Sequence, residues 1–138
     1  MSPSSEPPQF LTGRGLGSHI VPDGLRAAGW LVVTIDERHG PQVSQGVSDV
    51  DWIHDASIRG ECLLTKDAAI ASRPAEAMAI YMNDARAFAM ARANVTGPTM
   101  LAWFLANERS IHRMATARPP VVMAVGPDHL RRRRHAYP

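Results

Sequence analysis

Apolar runs and helical patterns alternate at short intervals along most of the chain. QFLT, Gln9 to Thr12, predicts a first strand and leads into the turn GRGLG. From Ile20 to Ala28 the positions Ile20, Val21, Leu25 and Ala28 share one helix face, and Gly29 supplies a stop. WLVVTI, Trp30 to Ile35, is a continuous, largely β-branched run that predicts a central strand, with Asp36 just past its carboxyl end. Arg38 to Val47, holding Gly40, Pro41 and Gly46, reads as a loop. Ser48 with Asp51 three residues on is a capping-box pattern, and it opens a short helix through Trp52, Ile53 and Ile58 to Gly60.

The stretch ECLLTKDAAI, Glu61 to Ile70, holds a strand from Cys62 to Thr65 that runs out into Lys66 and Asp67. SRPAEAMAIYM follows, where Pro74 and the alanines mark a helix start. Arg86 to Ala91 predicts a fourth strand. Thr96 to Ala115 predicts one long helix, with Pro98 in its first turn and Leu101, Phe104, Leu105 and Ile111 facing inward. Val121 to Val125 closes the sheet. Such alternation is the pattern of a single α/β domain, a mostly parallel sheet with helices on both faces. Residues 1–8, rich in Ser and Pro, read as a disordered tail, residues 9–126 as the folded domain, and residues 127–138 as a basic tail.

Length and composition narrow the class further. With 138 residues, 45% hydrophobic and 20% charged, the chain suits one core. No window approaches the roughly 18 uninterrupted apolar residues of a membrane span. MSPSSEPP lacks the basic and apolar regions of a secretory signal, so the expected address is the cytoplasm. Cys62 is the sole cysteine, which excludes an intrachain disulfide and a thiolate zinc cluster; its apolar neighbours predict a core residue. The net charge is +2, yet Arg131, Arg132, Arg133 and Arg134 supply four positives, leaving the other residues at −2 (2 − 4). A basic run of this kind suits phosphate or an acidic partner, or else is simply solvated.

Ligands of open parallel sheets gather outside the carboxyl ends of the strands, where Asp36 and Asp67 are expected, with Asp49 and Asp51 at the start of a neighbouring helix. Carboxylates crowded together repel one another unless a divalent cation lies between them. Magnesium or manganese is the natural occupant, being a hard ion that takes oxygen ligands and keeps several waters. Each acid also has an ordinary role: Asp67, Asp49 and Asp51 as helix caps, Asp36 as a loop opener. His39 and His54 flank one loop without the spacing of a zinc site. GRGLG lacks the lysine of a phosphate-binding loop and reads as a plain turn.

The stretches RGLGSHIVPDGLRAAGWLVVTIDERHG, SDVDWI and LLTKDAAIASRPAE together resemble the actinobacterial PIN-like domains found as toxins of VapBC-type toxin–antitoxin pairs. The likeness runs from about Phe10 to Met114, with LTKD and RPAE its most specific pieces. It implies a metal-dependent endoribonuclease (Mg2+ or Mn2+) silenced by a cognate antitoxin and assembled as a homodimer or a toxin–antitoxin hetero-oligomer. Carried over, it gives metal and catalytic roles to Asp36, Asp49 and Asp67, and a metal role to Asp51. Arg14, Lys66 and Arg131 to Arg134 are then expected to meet RNA, and Trp103 and Phe104 are candidates for a dimer face. One departure stands out. Related sequences have an acid just before the arginine of the first turn, whereas this chain has Gly13 before Arg14. A degenerate module that binds RNA or an antitoxin without cutting is therefore the rival reading, and a receiver-like phosphoacceptor using Asp36 a more distant one.

Overall fold

Six strands form one sheet in the order β2-β1-β3-β4-β5-β6 in a computed structural model that describes residues 7–44 and 46–134. They are β1 (Gln9–Thr12), β2 (Leu31–Thr34), β3 (Cys62–Thr65), β4 (Arg86–Met90), β5 (Val121–Val125) and β6 (Leu130–Arg132). Each ladder from β2 to β5 is parallel, and only β6 runs antiparallel to its neighbour, with Val125 opposite Leu130 and Met123 opposite Arg132. The mostly parallel α/β architecture expected from the alternation is therefore present.

Side chains alternate across the strands, so each strand feeds two cores. Phe10, Leu64, Phe88 and Met123 point into one cluster with Val21, Leu25, Trp30, Phe104 and Ile111. These partners come from α1 (Ile20–Ala27), α6 (Gly97–Ala106) and α7 (Glu108–Met114), or from the turn after α1. Leu11, Leu63, Ala87 and Val122 point the other way, against Trp52, Ile53 and Ile80 of α4 (Asp49–Ile58) and α5 (Pro74–Met82). Helices thus cover both faces, and β3, buried at all four positions, lies inside.

Several expectations need correction. The run WLVVTI is not a central strand: only Leu31–Thr34 is extended, and it lies at the sheet edge, where Leu31 is 43% exposed. Thr34 then caps α2 (Ile35–His39). Its side chain accepts the Glu37 N–H while the Glu37 carboxylate accepts the Thr34 N–H, so Ile35 and Asp36 are drawn into a helical turn. Within the stretch read as a loop, Pro41–Ser44 forms a further helical turn, α3. On α1, Ile20 is exposed, as is Ala28 just past its end, while Val21, Pro22 and Leu25 are buried.

The long helix divides at Asn107. Its buried side-chain amide donates to Trp103 O at 2.9 Å and to Gly126 O at 2.8 Å, tying the α6–α7 junction to the turn after β5. Phe104 and Ile111 are buried as expected, but Leu105 is on the surface. The sheet does not close at β5, because Leu130–Arg132 adds β6 beyond the expected domain end and orders part of the arginine run. The tail expected over residues 1–8 lies outside the described residues for residues 1–6, as do the last four residues of the basic tail.

Candidate active site

The strand order reverses between β1 and β3, the neighbours from which connections depart to opposite sides. In doubly wound sheets such a switch point opens a crevice at the carboxyl edge. A pocket of about 140 Å³ lies there, lined by Gly13, Arg14 and Gly15 after β1, by Thr65, Lys66 and Asp67 at the end of β3, by Asp49 and Trp52 of α4, and by Ile35 and Val47.

Local structure fixes its two carboxylates. Asp67 lies two residues past the end of β3. Its N–H donates to Thr65 Oγ1 at 3.2 Å, and its Oδ1 accepts the Ala69 N–H at 2.9 Å, capping the short 3₁₀ turn Ala68–Ala71. Asp49 is the first residue of α4 after the cap Ser48, whose hydroxyl accepts the Asp51 N–H at 3.1 Å. Trp52, 3% exposed, donates its indole N–H to Asp49 Oδ1 at 2.9 Å. The Oδ1 oxygens are thereby held by the protein's own donors, and the Oδ2 oxygens meet at one guanidinium. Arg73 NH2 lies 2.6 Å from Asp67 Oδ2 and 3.3 Å from Asp49 Oδ2, while its Nε contacts Glu76 at 3.3 Å. The hydrogen bond to Asp67 leads the causes that push the Arg73 pKa above its ordinary value.

The other expected acids lie elsewhere. Asp36, inside α2, accepts Ser18 Oγ at 3.0 Å and the Ser44 hydroxyl, and it does not line the pocket. Asp51 is exposed and off the pocket wall. Among the described residues no three or more His, Cys, Asp or Glu side chains are grouped to hold a metal ion. His54 pairs with Asn83 at 2.7 Å. Arg14 and Lys66 do line the pocket, whereas Arg131 to Arg134 belong to β6 and the residues after it.

The donor chemistry of the pocket is still that of a hard ion: two carboxylates and a hydroxyl, with no thiolate or imidazole. Magnesium is commonly held by one or two carboxylates, with waters and substrate phosphates completing its shell. A hydrated magnesium or manganese therefore fits Asp49 and Asp67, provided Arg73 yields their Oδ2 atoms.

Residues 8–92 match the model of the PIN like domain family. The chain belongs to that family. A protein of Mycobacterium tuberculosis named Putative ribonuclease VapC45 is 32% identical over 121 residues, covering 88% of both chains. No solved structure matches the chain significantly. The expected likeness to VapC-type PIN domains thus holds across nearly the whole folded part, and the pocket at the β1/β3 switch point is formed entirely by residues inside the matched segment.

The expected residues Asp49, Asp67, Arg14 and Lys66 line this pocket, and Arg73 is not among the expected site residues. The arginine stands directly before Pro74 and reads as part of a helix start, and nothing local signals that it reaches back 24 residues to Asp49. Trp52, which orients Asp49, is likewise not among the expected site residues. No helix among the described residues is long and apolar enough to cross a membrane.

Proposed function

We propose that the chain is the toxin of a type II toxin–antitoxin pair, a divalent-metal-dependent endoribonuclease that hydrolyses RNA phosphodiesters and is silenced by a cognate antitoxin. One observation carries the reading: two carboxylates of a PIN-like domain share a pocket with Arg14 and Lys66 at the sheet's switch point. Asp49 and Asp67 would hold a magnesium or manganese ion, while the metal roles that the family likeness implies for Asp36 and Asp51 have no support from the pocket lining. Bound there, the ion supplies positive charge that acidifies water and stabilises the leaving oxygen of a phosphodiester.

The chain's own residues do the rest. The indole of Trp52 and the N–H of Ala69 orient the two carboxylates. Lys66 and Arg14 offset phosphate charge at the pocket wall, so the backbone is drawn in and held for in-line attack. A water oxygen bonds to phosphorus, the bond to the leaving ribose oxygen breaks, and the water's proton ends on that oxygen.

Labelled RNA incubated with manganese, beside an Asp67→Asn variant and a chelator control, tests this. Cleavage by the parent protein alone, abolished by chelator, is expected. Equal cleavage by both proteins would refute the assignment of Asp67. The rival reading, a PIN-like module that binds without cutting, draws on Gly13 and on the arginine between the acids; retained RNA binding with no cleavage under any cation would select it.

A further inference from the structure

A second depression opens on the same edge of the sheet. It is a groove of about 270 Å³ lined by Ala91 and Arg92 after β4, Ala124 of β5, Gly126, Pro127 and His129 of the hairpin, and Arg131 and Arg133 on the β6 side. Arg131 pairs opposite Ala124 and the Arg133 N–H donates to Val122 O at 2.8 Å, so the antiparallel ladder holds this side of the groove in register. Alternation along β6 sends Leu130 and Arg132 to the face of the first core and Arg131 and Arg133 into the groove.

Its charge is unbalanced. Arg26, Arg38, Arg59 and Arg73 each meet a carboxylate. Arg92, Arg131 and Arg133 meet none among the described residues, nor does any of them make a side-chain hydrogen bond there. The one acid of the hairpin, Asp128, is largely exposed and paired with His129 at 2.9 Å. Three guanidiniums that line one groove without a carboxylate partner make it a place for a multiply charged anion. Arginine forks match phosphate oxygens in pairs.

Position identifies the anion. The groove and the carboxylate pocket both lie at the carboxyl edge, on the side of the sheet covered by α4 and α5. β4 is the neighbour of β3, and β5 of β4, so the groove lies along the same edge as the pocket. We propose that Arg92, Arg131 and Arg133 form a binding track for the backbone phosphates of single-stranded RNA, extending the substrate strand beyond the carboxylate pocket. The identity of the anion rests on the nuclease reading, but the test does not need cleavage.

Binding of a labelled single-stranded RNA is measured in chelator over a range of salt, in an Asp67→Asn background. Affinity should fall at least tenfold in the Arg92→Gln, Arg131→Gln, Arg133→Gln triple variant. The slope of log affinity against log salt should fall by about 2, since each phosphate contact on a single strand contributes about 0.7. Arg109→Gln removes the same charge from α7, on the face of the sheet that carries the first core, and should change neither quantity. An unchanged slope in the triple variant overturns the proposal, as does an Arg109→Gln loss equal to that of Arg131→Gln, which would mean diffuse charge and no track. A parent protein that binds RNA through the track yet never cuts it would leave this inference standing while the nuclease reading fails.

Discussion

The indole ring of Trp52 stands where a side chain on Gly13 would begin: a Cβ built there lies 3.2 Å from Trp52 Cη2 and 3.3 Å from Cζ2. Gly13 adopts φ −79, so its backbone tolerates any residue and the obstacle is the ring. Trp52 is buried and tethered to Asp49, which leaves little room to retreat. An acid of the kind the family likeness leads one to expect at this position would have to displace the ring. Gly13→Asp should therefore cost about 1–3 kcal/mol, the usual range for overpacking a core, and should gain no cation affinity by itself. Combining it with Trp52→Leu should relieve the clash, so the pair costs less than the sum of the single changes and binds manganese more tightly than Trp52→Leu alone. Urea denaturation and calorimetry read both effects. Strict additivity would show that the ring is not the obstacle.

Arg73 bridges Asp49 and Asp67 as a monovalent cation in the place a divalent one would take. Arg73→Gln should then act in opposite directions on two measurements. In chelator the two carboxylates lose their counter-ion. Because all three side chains are around 40% exposed, the cost should stay near 1 kcal/mol, a fall in melting temperature of a few degrees. In manganese the variant should bind the ion several-fold more tightly than the parent and recover most of the lost stability. A variant that binds manganese no better than the parent would mean that Arg73 does not compete for the site.

Much of this arrangement was legible because strands and helix starts are written locally. The runs QFLT, CLLT and VVMAV are strands, and the register of β1 against β3 brings Gly13 and Asp67 to one edge. Strand order is decided by pairing between distant segments, so an apolar run such as Leu31–Thr34 looks central while lying at the edge. One miss was available in the sequence: Thr34 and Glu37 carry the threonine-x-x-glutamate signature of a capping box, and it converts the end of that run into α2. The break at Asn107 was not available, since its amide is drawn to Gly126, 19 residues away. The arginine run reads as a solvated tail, and Leu130, packed on the first core, together with the ladder to β5 makes part of it a strand.

Glu61, which opens the stretch leading to Asp67, is only 6% exposed and depends on one partner. Arg38 grips it with both terminal nitrogens at 2.6 Å and reaches Asp55 at 3.2 Å, and the hydrogen bonds it donates to Glu61 are the largest cause of the rise in the Arg38 pKa. The pair pins α2 to the start of β3. Arg38→Ala would strand a buried carboxylate beside Asp55 and should cost about 3–5 kcal/mol. The double change Arg38→Leu, Glu61→Leu should cost much less, since no charge is left unpaired at the strand start. Chemical denaturation of the two variants decides it, and a double variant as unstable as Arg38→Ala would mean that the ion pair itself, and not relief of a stranded charge, sets the loss.

Cys62, in the middle of the sheet and 3% exposed, gives a pH signature of folding. Burial pushes its thiol from 9.0 up to about 11, with a small opposing pull from Arg86. The raised value sets the sign. Below about pH 9 the thiol is protonated whether the chain is folded or not, and the full stability is present; between about 9 and 11 the unfolded chain releases a proton that the folded chain keeps, so stability falls as pH rises. At about 1.4 kcal/mol for each pH unit, the loss between about pH 8 and pH 10.5 should reach roughly 2 kcal/mol. The comparison that isolates the thiol is with Cys62→Ala, which should lose less over the same interval. Urea midpoints at both pH values for both proteins provide the measurement, and a parallel decline in the two would show that the thiol stays within reach of water and that the core beneath β3 is looser than its burial indicates.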